Sequence, residues 1–169
     1  MKKIIVSIVT ISILFIACKQ QPKITVKENE AFNQFLEAYY QGGLQLSPIS
    51  ATFAGDNRYN HEFPNTLSED FQQKTTTFLT NYLTKSADYT DETLTESQQM
   101  SKAVLIWDCE IRLEELHFKK GLLMPIDQMW SVHLMMGQLG SGASAQPFKT
   151  VTDYTNWLQR LAGYDNWLH

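Results

Sequence analysis

The stretch TESQQMSKAVLIWDCEIRLEELHFKK, residues 95–120, decides the fold class. Met100, Ala103, Val104, Trp107, Ile111 and Phe118 recur at the spacing of one helical face, and Leu105, Cys109, Leu113 and Leu116 widen it. A helix that is apolar over much of its circumference belongs at the centre of a bundle. Thr95 and Gln98 stand three residues apart at its start, so each side chain can satisfy a backbone N–H that the first turn leaves free. Gly121 is the stop signal.

Working outward, Thr66 and Glu69 repeat the capping spacing before a second long helix. Its stripe is Phe71, Thr75, Phe78, Leu79 and Tyr82, and it ends near Lys85. A first helix is predicted over residues 28–41 from Phe32, Phe35, Leu36, Tyr39 and Tyr40, with Gly42 and Gly43 closing it. Between these two, Ser47 and Pro48 read as the N-cap and first residue of a short helix. Gly55, Asp56 and Asn57 signal a turn, and the rest of 44–65 reads as irregular loop. Towards the C-terminus, residues 129–139 read as a short helix or an apolar loop. Residues 137–146 are rich in glycine and serine, a flexible composition. Thr150 or Thr152 caps a last helix, with Val151, Tyr154, Trp157, Leu158 and Leu161 packing inward. The expectation is an all-α protein: an irregular bundle of about four to six helices with long loops and no internal repeat.

The chain begins MKKIIVSIVTISILFIAC. Lys2 and Lys3 precede an apolar run over residues 4–17 that is too short for a comfortable bilayer span of about 20 residues. It has the form of a secretory signal. Ala17 before Cys18 resembles a lipobox, in which the thiol of Cys18 is acylated and becomes the mature N-terminus. Phe15 stands where leucine is usual. A diacylated cysteine supplies the two chains that stable anchoring requires. Expected are a lipoprotein signal over residues 1–17, a lipidated polar tether over 18–27 and a helical domain over 28–169. Lys19 lacks the character of an inner-membrane retention signal, so the expectation is the cell envelope, at the outer membrane rather than the inner.

The formal charge is −4, and it becomes −6 once Lys2 and Lys3 are removed with the signal. That balance argues against nucleic acid, because phosphate binding needs clustered lysine and arginine. With Cys18 lipidated, Cys109 stands alone in an apolar stretch and reads as a buried, inert thiol.

Among His61, His117, His133 and His169, none has another histidine one turn away, and H-E-x-x-H is missing. Glu114 and His117 are three apart and could reach one metal, but such a site needs a second pair. Gly140-Ser141-Gly142 lacks the preceding strand of a nucleophile elbow. No catalytic or metal residue is expected, and no cofactor in this chain. Arg58, Tyr59 and His61 form a polar loop cluster, and His133 stands near Trp130. These five are the candidate cleft-lining residues, with a solvated loop and a structural histidine as the plainer alternatives.

The run Leu46-Ser47-Pro48-Ile49-Ser50-Ala51-Thr52-Phe53-Ala54-Gly55-Asp56-Asn57-Arg58-Tyr59-Asn60 resembles the early P-x-x-A-T-x-x-G-x-x-x-Y signature of the DUF885 family of bacterial envelope proteins. Asp127-Gln128-Met129-Trp130 fits as well. So does Phe148-Lys149-Thr150-Val151-Thr152-Asp153-Tyr154 with Trp157, Leu158, Arg160 and Leu161 behind it. The resemblance implies a large helical protein similar to gluzincin-type zinc peptidases, with its zinc motif far downstream, where no position of this chain matches. It therefore implies an N-terminal fragment, truncated before the zinc motif and catalytically incomplete on its own. Its partners would be the membrane, through the lipid, and the missing C-terminal part or a peptide. The third helix and the Trp157/Trp167 end are then expected to expose apolar surface. The abrupt ending on Trp167, Leu168 and His169 fits the same expectation. The alternative is a self-standing helical lipoprotein that binds a peptide or protein.

Overall fold

The computed structural model describes residues 26–118, 128–129 and 131–169. The signal, Cys18, Gly121, Asp127 and Trp130 lie outside these residues. The described chain is all-α: α1 (Glu30–Leu46), α2 (Pro48–Phe53), α3 (Glu69–Ser86), α4 (Glu96–His117), α5 (Val132–Gly140) and α6 (Val151–Leu168). Short 3-10 turns at Asn57–Tyr59 and Asp91–Thr93 interrupt the connections, and no strand occurs among the described residues. No helix among them is long and apolar enough to cross a membrane.

The first helix runs through Gly42 and Gly43 rather than ending there, and stops where Pro48 follows its cap Ser47. Gly42 has a different role from a cap. A Cβ there would lie 2.4 Å from the Phe78 ring, so the missing side chain lets α3 approach. The helix also starts later than expected, because Asn29 accepts from the Phe32 N–H and caps it. For α3 the cap is Ser68, not Thr66: its hydroxyl accepts from the Phe71 N–H. Thr66 instead accepts from Trp167 Nε1. The Thr95–Gln98 capping box of α4 is present as the spacing predicts. So is Pro48 at the start of α2, although the Ser47 hydroxyl makes no capping bond to that helix and pairs with Ser50 instead. Residues 132–140 settle as helix, and Thr150, not Thr152, caps α6 in a second box with Asp153.

The core lies where α3 and α4 pack together under α1. Leu79, Leu105 and Cys109 are buried, with Phe35, Leu36, Tyr39, Phe78 and Tyr82 against them. Rings of α1 meet rings of α3 and its exit turn: Phe32 on Tyr89, Phe35 on Tyr82 and Tyr39 on Phe78, at 5.0, 5.2 and 5.4 Å between centroids. Tyr39 donates to Asp108 and accepts from the Cys109 thiol. Burial pushes both the Tyr39 hydroxyl and the Cys109 thiol up from their ordinary range, so Cys109 stays a protonated thiol in the core.

Gln98 ties α1 to the head of α4. Its Nε2 donates to Asn29 O and Asn33 Oδ1, and its Oε1 accepts from the Asn29 and Thr95 N–H groups. Gln98 is buried, so Gln98→Leu leaves several polar groups without partners. The expected cost is about 2 kcal/mol, read by urea denaturation; a change below about 0.5 kcal/mol would mean that water replaces the amide.

Two expectations about faces are corrected. On α4, the set that widens the stripe (Leu105, Cys109, Leu113, Leu116) is the packed one. Met100, Val104, Trp107, Ile111 and Phe118 are exposed, Trp107 by 62 %. On α6, Val151, Tyr154 and Leu158 face solvent rather than the core. Trp157 and Trp167 are half-buried against Phe148 and Phe63. The physical reason is shared: each helix is apolar on more than one side, and the described neighbours cover only one of them.

Candidate functional site

The loop after α2 holds three of the five expected cleft residues, and the structure gives each a local task. Asp56 caps the turn at Asn57–Tyr59 by accepting from the Arg58 N–H. Its carboxylate also takes the Arg58 Nε at 3.0 Å and Nη2 at 2.6 Å, which holds its pKa below the usual carboxylate value. Arg58 also donates to Gln41 of α1 and lies over the Tyr59 ring, 5.3 Å from its centroid. His61 and Glu62 form an exposed pair at 3.5 Å. His133 is bonded to Ser131 at the start of α5. Trp130 lies outside the described residues. Arg58, Tyr59, His61 and His133 line none of the grooves described below.

What organises this region is Arg160 of α6, which is fully buried. Its guanidinium donates to Glu62 O (3.1 Å), Gln146 Oε1 (2.6 Å), Tyr59 O (2.7 Å), Thr52 Oγ1 (2.9 Å) and Pro48 O (3.4 Å). Thr52 donates in turn to Asn60 Oδ1 at 2.7 Å. Burial pulls the Arg160 pKa down to about 10, so it remains charged, held by neutral oxygens. Gln146 Nε2 is buried without a hydrogen-bond partner among the described residues.

The node accounts for the motif around it. Pro48, Thr52 and Tyr59 present the oxygens, and Gly55, at φ +83°, turns the chain so that they converge. Gly163 lets α6 come close enough, since a Cβ there would lie 2.7 Å from Phe63 O. Sequence reasoning placed Arg160 only in the tail of a motif. The signal available was its position one turn from both Trp157 and Tyr164, on the aromatic side of α6.

Beside the node lies an apolar groove of about 330 Å³ between α2, residues 63–66, α5 and the end of α6, floored by Ile49, Phe63, Met135 and Trp167. A second, of about 430 Å³, shares Val132 and Met135 and continues past Phe53. Ser47, Ser50 and Thr66 are the polar groups of the first groove. Among the described residues, none of them pairs with a histidine or carboxylate in the manner of an activated nucleophile.

The zinc that the resemblance implies does not fit the described residues. No three His, Cys, Asp or Glu side chains among them are placed to hold a metal ion. Glu114 and His117 diverge. His117 faces a groove with Glu69 and Asp70, whereas Glu114 faces one with Ile111, Glu115 and Phe118. Ser141 is held inside its turn, donating to Gln138 O and accepting from the Ala143 N–H.

Compared with known proteins, residues 48–169 match the family described as "Bacterial protein of unknown function (DUF885)". No curated protein and no solved structure matches.

Proposed function

The chain belongs to the DUF885 family of bacterial proteins, and on that premise we propose that it is a lipid-anchored helical module of the cell envelope. It is catalytically incomplete by itself and packs against further polypeptide of a peptidase-like protein. One observation carries the reading: α4 leaves a whole apolar face, with Trp107 at its middle, in solvent. Monomeric proteins seldom leave such a face uncovered without a partner for it. The diverging Glu114 and His117, and the occupied Arg58, support a role in scaffold rather than chemistry.

Anchoring rests on Cys18. Cys18→Ala, expressed in a bacterium, should move the protein from the membrane fraction to the soluble or signal-retaining pool, and block incorporation of labelled fatty acid. Label incorporated at an unchanged level would remove the anchor from the proposal. For the module itself, the purified full chain with added zinc should show no aminopeptidase or dipeptidase turnover and no stoichiometric zinc. Turnover would overturn the incomplete-module reading. The groove between α2 and α5 favours a second reading, a self-standing lipoprotein that binds a peptide there. Met135→Trp, which fills the groove, separates the two: it would abolish peptide capture in the second reading and leave association through α4 intact in the first.

A further inference from the structure

The exposed face of α4 has a definite register. Met100, Val104, Trp107, Ile111 and Phe118 follow one another at steps of four, three, four and seven residues. At about 100° per residue they fall within an arc of about 60°. Leu105, Cys109 and Leu116 lie on the opposite side and are packed against α1 and α3. An arc that narrow, repeating every seven residues, is the seam of helix-on-helix packing rather than of a broad core face.

Its rim is charged with one sign. Glu110 flanks the seam on one side and Glu115 on the other, and Glu114 takes the seam's own heptad position between Ile111 and Phe118; all three are exposed. None of them has an ion pair among the described residues. Ile111, Phe118, Glu114 and Glu115 line a shallow, open depression of about 380 Å³ that is both apolar and acidic.

Resting on the proposal that α4 packs against further polypeptide, we infer that the occupant of this seam is an amphipathic helix of that polypeptide, with apolar residues at heptad spacing and lysine or arginine along its flanks. A second copy of the chain fits poorly. The cations of α4 are already taken, Lys102 by Asp91 at 3.0 Å and Arg112 by Asp108 at 3.4 Å, so α4 against α4 sets glutamates against a surface with no free cation among the described residues. Anionic lipid fits poorly for the same reason of sign.

The test uses the full chain in detergent and two designed helical peptides of about four heptads. Both carry leucine at the seam; one has lysine flanks and the other glutamate flanks. The lysine peptide should bind about tenfold tighter, the combined effect of three surface ion pairs. The preference should fade in about 0.5 M salt, where screening acts within a few ångströms. Trp107→Glu should abolish binding. A chain carrying Glu110→Lys, Glu114→Lys and Glu115→Lys should prefer the glutamate peptide. Equal binding of both peptides overturns the inference. So does dimerisation of the chain that Trp107→Glu abolishes, or Trp107-dependent binding to vesicles of phosphatidylglycerol and phosphatidylethanolamine in place of peptide. These failures leave the module reading standing, because that reading fails on turnover by the chain alone, which no α4 surface change affects.

Discussion

Arg160→Met is expected to lower the unfolding free energy by about 4 kcal/mol, the scale of a buried hydrogen-bond network losing its donor. The methylene stem is replaced at similar volume, so the loss is polar. Pro48 O, Tyr59 O, Glu62 O, Thr52 Oγ1 and Gln146 Oε1 all lose the donor they share. A buried acceptor left unpaired costs about 1–3 kcal/mol, and water entering the gap recovers part of that. Arg160→Lys keeps the charge, but one ammonium cannot reach oxygens arranged around a planar fork, and it should cost about 2–3 kcal/mol. Urea titration followed by far-UV circular dichroism measures both. If Arg160→Met loses less than about 1 kcal/mol, the node is decoration and the motif needs another explanation.

Phe32→Ala is expected to cost about 4 kcal/mol, the usual range for a phenylalanine cut back to alanine in a closed core. Phe32 is fully buried, edge-on to Tyr89 and stacked on Phe35. The loop carrying Tyr89 is held by this contact and by Lys102, which donates to Tyr89 O, and it cannot collapse into the space. Phe32→Leu refills most of the volume and should cost less than about 1.5 kcal/mol. Trp107→Ala, a larger truncation, should change stability by no more than about 0.5 kcal/mol, because its ring lies in solvent. Finding Trp107→Ala as costly as Phe32→Ala would mean that the face of α4 is covered within the chain.

What the sequence made legible was local. Capping spacing at Thr95 and Gln98, proline at position 48 and the stripe of α3 are settled by residues a few positions apart, and the structure has them. Choosing between two apolar faces on α4 is a different problem. Periodicity says that both Leu105 and Trp107 lie on apolar arcs, but only the neighbours decide which arc is closed. Gly42 and Gly43 misled for a related reason. Glycine serves equally to end a helix and to admit a ring, and the Phe78 ring that decides is 36 residues away. At the site, Arg58 and His61 stand out as polar residues in a loop, whereas Arg160 enters only as part of the motif that carries the family resemblance, with no task attached to it. A buried arginine satisfied by neutral oxygens, three of them main-chain, leaves no partner carboxylate in the sequence to announce it.

The Arg160 node also sets an order of events. It joins residues 48–62 to a side chain about 100 positions later, so its closure waits until α6 has been synthesised. Chains emerge N-terminus first, and contacts between distant segments form slowly because the loop between them must be closed. The α1, α3 and α4 core, made of nearer segments, can assemble before that. The turn around Gly55 meanwhile holds its carbonyls open to water. Pulse-labelled amide exchange during refolding should therefore protect α3 and α4 first. The amides of residues 51–62 should follow in the same phase as α6, so that a segment near the start of the chain is among the last to become ordered.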